Sequence, residues 1–181
     1  MSNFDTALGY AEQILGTWYG WWRGGPVPDE EPAWAINKPP PDPQYVYARS
    51  CFCAGLTNLM RRSVGKIVPP SGGALYDGGT LAYGEYFYHW SEWFDIYKAL
   101  NGLYPHGTLI GRYFDWDRLP SDQGHVAVLL DGGWVLQSYD GGGGPPGVNW
   151  DTRIKDSHAG WYYEYAVLPE NWINYEGWDE F

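Results

Sequence analysis

The chain has 181 residues, 44% hydrophobic and 18% charged, a composition that fits one folded domain spanning 1–181 with a sizeable core. A formal net charge of −11 and a sequence pI of about 4.6 argue against nucleic acid and anionic membranes as partners. No apolar run reaches the length of a membrane span, and residues 1–9 lack the basic-then-apolar pattern of a leader.

In chain order, Phe4, Leu8, Ala11 and Leu15 share one helical face. Ser2 or Asn3 is placed to cap that helix and Gly16 to close it. An aromatic run, Thr17-Trp18-Tyr19-Gly20-Trp21-Trp22, leads into a Pro-rich stretch near 24–47 with Pro39, Pro40 and Pro41 consecutive. Three prolines in a row neither continue a helix nor enter a central strand, which predicts an ordered loop wrapped on the domain. A second helix is predicted over 51–64. Ser50 is its N-cap, Leu56, Leu59, Met60 and Val64 its apolar stripe, Arg61 and Arg62 its basic end, and Gly65 its stop.

A Gly-rich turn at 71–79 precedes a third predicted helix over 92–101. Trp93, Phe94, Tyr97 and Leu100 set its spacing, with Ser91 as cap and Gly102 as stop. Beyond it the pattern changes to β-branched and aromatic runs, predicting strands at 108–114, 125–130, 134–139 and 161–168. Asp131-Gly132-Gly133 reads as a hairpin turn and 141–147 as a flexible loop. Helices first and an antiparallel sheet afterwards make an α+β fold.

The two cysteines, Cys51 and Cys53, are too close in sequence to staple a fold. None of the four histidines stands at zinc-ligand spacing from another, so no metal or other cofactor is expected. Cys53 falls in the first turn of the second predicted helix. Unpaired N–H groups and the helix dipole there favour a thiolate, which predicts a thiol titrating below the ordinary ~8.5. His125 opens the apolar run 126–130 and is the candidate base. Aromatic residues make up 19% of the chain; such rings fill a Gly-rich core or line a groove for sugars or peptides.

Cys53-Ala54-Gly55-Leu56 resembles the Cys-Ser/Ala-Gly-Leu signature of the NlpC-type cell-wall cysteine peptidases. Gly124-His125-Val126-Ala127-Val128 is similar to that family's Gly-His-Val-Gly-Ile strand, and Gln137 falls where its third polar residue stands. Upstream, Gly16-Thr17-Trp18-Tyr19-Gly20-Trp21 resembles the family's Gly-x-Pro-Tyr-x-Trp-Gly element. The resemblance covers about 16–139 and implies a papain-like core and an endopeptidase acting on peptidoglycan stem peptides, at the cell wall or outside the cell. It implies Cys53 as nucleophile, His125 as base, Gln137 as the group that orients the imidazole, and Tyr19 and Trp21 at the oxyanion and substrate.

There are departures. Phe52 stands where the family has Asp, Trp18 where it has Pro, and insertions fall between Tyr19 and Cys53 and within 69–103. Cys51 is a rival nucleophile that lacks the Ala-Gly-Leu context. Alternatives on the same residues are a CHAP-type amidase, a protein-directed deamidase or transferase, and a non-enzymatic module stacking glycans on Trp18, Trp21, Trp22 and Trp34.

Overall fold

The computed structural model describes residues 1–20, 34, 36–47, 50–71, 77–113, 115, 124–140, 147–154 and 163–177. Its helices are α1 (Asn3–Gln13), α2 (Pro43–Tyr47), α3 (Cys53–Ser63), α4 (Thr80–Tyr86), α5 (Ile96–Leu100) and α6 (Pro169–Asn174). Its strands are β1 (Trp18–Tyr19), β2 (Ser50–Cys51), β3 (Ser91–Trp93), β4 (Thr108–Arg112), β5 (His125–Leu129), β6 (Trp134–Tyr139), β7 (Gly147–Arg153) and β8 (Tyr165–Val167).

Among the described residues six strands form one antiparallel sheet in the order β3-β8-β4-β5-β6-β7. The strand period of two sorts its residues cleanly. Leu109, Val126, Val128, Leu136, Val148, Tyr165 and Val167 pack with α1 and α3 in the main core. Ile110, Ala127, Leu129, Val135 and Ala166 face the other way, into a second cluster with Ala99, Tyr104 and Tyr163. The fold is α+β, helices packed on an antiparallel sheet. No helix among the described residues is long and apolar enough to cross a membrane.

The first helix forms as its sequence requires: Ser2 accepts from the Asp5 N–H and the Asp5 carboxylate accepts from the Ser2 N–H. The described part of the Pro-rich stretch is wrapped on the domain, but its end, Pro43–Tyr47, is the short helix α2 rather than loop. Arg62 donates to the carbonyls of Lys38 and Pro39, at 2.6 and 2.8 Å, and the Tyr10 hydroxyl donates to Pro41. The basic end of α3 therefore differs from its expected role. Arg61 is fully buried and donates to the carbonyls of Ile67, Trp172 and Tyr175, tying α6 to α3. Both guanidiniums hold chain segments rather than a solvent-facing helix terminus.

Three more readings need correction. Ser50 is not a cap: it pairs with Trp18 in the short parallel ladder of β1 and β2, so α3 starts at Cys53. The helix predicted over 92–101 begins only at Ile96. Asp95 accepts from the N–H groups of Tyr97 and Lys98 and fixes the start there, while Ser91–Trp93 pairs with β8 as an edge strand. Aromatic spacing alone could not separate these outcomes; the Asp cap decides them. Strand β7 begins within the predicted loop 141–147, whose other residues lie outside those described. At its start, Gly147 (φ 90°) brings its backbone against the Thr17 carbonyl, where a Cβ would sit 2.0 Å from the oxygen.

Candidate active site

Two structural devices converge on one end of the sheet. The first is the start of α3. Phe52 occupies the N-cap in an extended conformation and makes no side-chain cap, so the first-turn N–H groups are left for other acceptors. The Cys53 sulfur is one: the amides of Val126, Ala54 and Cys53 itself favour its thiolate, as does the Arg112 charge. The second device is the β5–β6 hairpin, closed at the other end by Asp131–Gly133. It sets His125 beside Gln137, with Nε2 3.2 Å from Oε1.

That bond assigns the imidazole. An amide oxygen accepts only, so Nε2 carries the hydrogen and Nδ1 keeps its lone pair, the form a base requires. Since the Val126 amide belongs to the peptide that joins it to His125, the thiol lies against the backbone of the candidate base. Among the described residues no hydrogen bond joins thiol to imidazole. The shared strand end, rather than a direct bond, brings Cys53 and His125 together.

Burial dominates the electrostatics. Cys53 is 5% exposed and His125 7%. Desolvation pushes the thiol up to about 11 against the pull of the amides and Arg112. It holds His125 down at about 4, against the Gln137 bond, which raises it. The lowered thiol expected from a helix start is thus reversed, because the same burial that makes the site also removes water from the anion. At neutral pH both groups are uncharged.

Cys51, two residues earlier, is fully buried in β2 and its Sγ points at the Phe52 carbonyl, 3.3 Å away. Tyr19 is 41% exposed and pairs in register with Cys51 across the β1–β2 ladder. The upstream aromatic element is thereby carried next to the Cys51-Phe52-Cys53 run. Trp21 and Trp22 lie outside the described residues. Trp34 is fully buried and packs edge-on against Phe52, which removes it as a ring for stacking ligands. Trp18 is exposed.

Two residues not singled out in the sequence join the group. Arg112 stands opposite His125 in the β4–β5 register, and its charge acts on both Cys53 and His125. Tyr163 packs its ring 6.0 Å from the imidazole, tilted by 35°, and Tyr139 lies edge-on at 5.8 Å. The buried Tyr163 hydroxyl has no hydrogen-bond partner among the described residues and is within electrostatic reach of Cys53. Strand register alone would have revealed Arg112; Tyr163 carries no local motif. Among the described residues no group of His, Cys, Asp and Glu could hold a metal ion.

No protein-family model matches this chain, and no curated protein matches it. Among solved structures it is similar to a protein of the NLP/P60 family, described as similar to lipoprotein, from Staphylococcus aureus subsp. aureus Mu50. The identity is 15% and the TM-score 0.48. The likeness covers 92% of this chain and 41% of that one, so this chain spans less than half the length of the protein it matches.

Proposed function

We propose that the chain is a papain-like, NlpC-type cysteine hydrolase domain over 1–181 that cleaves amide bonds, with the peptide stems of peptidoglycan as its substrate class. The observation that carries this reading is the His125–Gln137 bond at the strand end where the Cys53 thiol meets the Val126 amide. The matching motifs around Cys53, His125 and Tyr19 narrow the substrate class.

The chemistry follows from the protonation states. Cys53 passes its proton to His125 Nδ1 as the sulfur attacks the carbonyl carbon. The Cys53 amide and Arg112 stabilise the oxyanion, and Tyr19 and Tyr163 supply further hydroxyl donors. The C–N bond breaks, the amine takes the proton from His125, and a thioester remains. Water, deprotonated by His125, then releases the carboxylate and restores the thiol. Gln137 keeps Nε2–H in place throughout. Because both groups start neutral, charge separates only as the substrate carbonyl is attacked.

The test is incubation with purified peptidoglycan fragments and mass spectrometry of the products. A new amine and carboxylate formed by the wild type and not by Cys53→Ala are expected. Equal cleavage by that variant would overturn the assignment.

A further inference from the structure

At the far end of the same hairpin lies an open cleft of about 330 Å³ lined by His106, Leu130, Asp131, Trp134, Trp150 and Asp151. The size falls within the ~300–1,000 Å³ range of small-molecule pockets. From His125 to Leu130 the strand runs about 16 Å at ~3.3 Å per residue, so this cleft is separate from the Cys53 site. We propose that it binds a saccharide ring.

The aromatic parts are held in place. The Arg153 guanidinium lies 4.5 Å from the Trp134 ring centre and fixes that exposed indole. Trp150 is half-buried and rests on the main core. The His106 ring is held edge-on by Phe4, with centroids 5.3 Å apart. Rigid indoles at an open surface suit the flat C–H face of a sugar, since little side-chain freedom remains to be lost on binding.

The polar groups define what the ligand must offer. Asp131 and Asp151 are exposed acceptors. His106 Nδ1 also lies 3.4 Å from an Asp131 carboxylate oxygen, which could accept only from a ring with its hydrogen on Nδ1. The Asp131 backbone N–H donates to the same nitrogen at 3.1 Å, so Nδ1 is an acceptor and Nε2–H remains the donor. Acceptors and a donor at one rim call for a ligand that both gives and takes hydrogen bonds. Hydroxyl groups do both. An anion would meet two carboxylates on a chain of net charge −11, and a cation would meet Arg153 at Trp134. A purely apolar ligand would strip water from both carboxylates without replacing it.

The test uses the full chain and soluble oligomers of N-acetylglucosamine, glucose and xylose, read by tryptophan fluorescence and saturation-transfer NMR. At least one series should bind saturably. Trp134→Ala should weaken that binding by about tenfold and Asp151→Asn by about threefold. Both positions are at the surface, and circular dichroism checks that each variant folds. Trp18→Ala and Cys53→Ala should bind as the wild type does. Failure of all three series would overturn the proposal, as would binding unchanged in both cleft variants or abolished by Cys53→Ala. Binding of spermidine alone, lost in Asp151→Asn, would make the cleft a cation site instead.

Discussion

One hairpin carries two histidine environments, and they differ in what covers each end. At the β5 start, the N-terminus of α3 and the rings of Tyr139 and Tyr163 close over His125, whose partner is a neutral amide. Beyond the β5 end, His106 leans on Phe4 beside the Asp131 carboxylate and stays open to solvent. The strands are the same; the cover is not. A buried imidazole with a carbonyl-type partner stays neutral, with Nδ1 as a proton acceptor, which suits proton transfer. An open one among carboxylates and indoles suits recognition of an uncharged polar ligand. The comparison predicts that the two ends can be disabled separately.

The largest effect should come at the buried end. Cys53→Ala and His125→Ala should each lower turnover of peptidoglycan fragments by about 10³-fold or more. The double variant should be little worse than either, since the proposed nucleophile and base would act as one unit. Saccharide affinity at the open end should be unchanged in all three. Multiplicative losses would separate the two groups, and a parallel loss of saccharide binding would join the two ends.

Next in size is thiol reactivity. With Cys53 pushed up to about 11, the thiolate fraction at pH 7 is ~10⁻⁴ and grows about tenfold per pH unit. Alkylation by iodoacetamide should therefore rise about a hundredfold from pH 7 to 9. A rate already level below pH 7 would reveal a preformed thiolate–imidazolium pair and remove the neutral resting state from the mechanism.

The buried histidine should also be visible in stability. His125 is held down from 6.5 to about 4, so between those values the unfolded chain binds more protons than the folded one. Stability is then fully present above pH 6.5 and is lost as pH falls toward 4, by about 3 kcal/mol. Urea unfolding of wild type and His125→Phe across pH 4–7 measures it. The variant should lose most of that slope, and an equally steep slope in both would assign it to other groups.

These differences explain what the sequence could and could not disclose. Local rules worked where the deciding contacts are local: the Ser2 cap, the stripe of α3, and the Asp131-Gly132-Gly133 turn that joins the strands of His125 and Gln137. They failed where a distant partner decides. Ser50 reads as a cap until Trp18 claims its backbone, and 92–94 reads as helix until β8 offers a sheet edge. Pro169–Asn174 carries its own signal, a Pro at the first helical position, yet it is tied to distant elements by the Arg61 bond to the Trp172 carbonyl and the Trp172 indole bond to the Gly107 carbonyl. Arg112 and Tyr163 have no motif at all; only strand pairing and packing bring them to the site. The thiol shifts opposite to the helix-start expectation for the same reason, since helix-start polarity is local and burial is not.

The smallest expected effect concerns Cys51, which sharpens the contrast with Cys53 because both thiols are buried and only two residues apart. The Cys51 side chain contributes packing: its sulfur sits 3.3 Å from where a Cβ on Gly55 would lie, inside the main core. Its backbone does the positioning, since its carbonyl accepts from Ser138 Oγ at 2.6 Å and from the Gly20 N–H at 3.2 Å. Cys51→Ala removes the sulfur and keeps the backbone, so β1 stays paired and Tyr19 stays beside the site. Stability should fall by about 1–2 kcal/mol from the small cavity, while turnover stays within about twofold of wild type. Thermal unfolding and initial rates on the same peptidoglycan fragments measure the two quantities. A loss of turnover as deep as that of Cys53→Ala, in a protein that still unfolds cooperatively, would mean that the two sulfurs share the chemistry. The buried end would then need a different nucleophile assignment, with the open end unaffected.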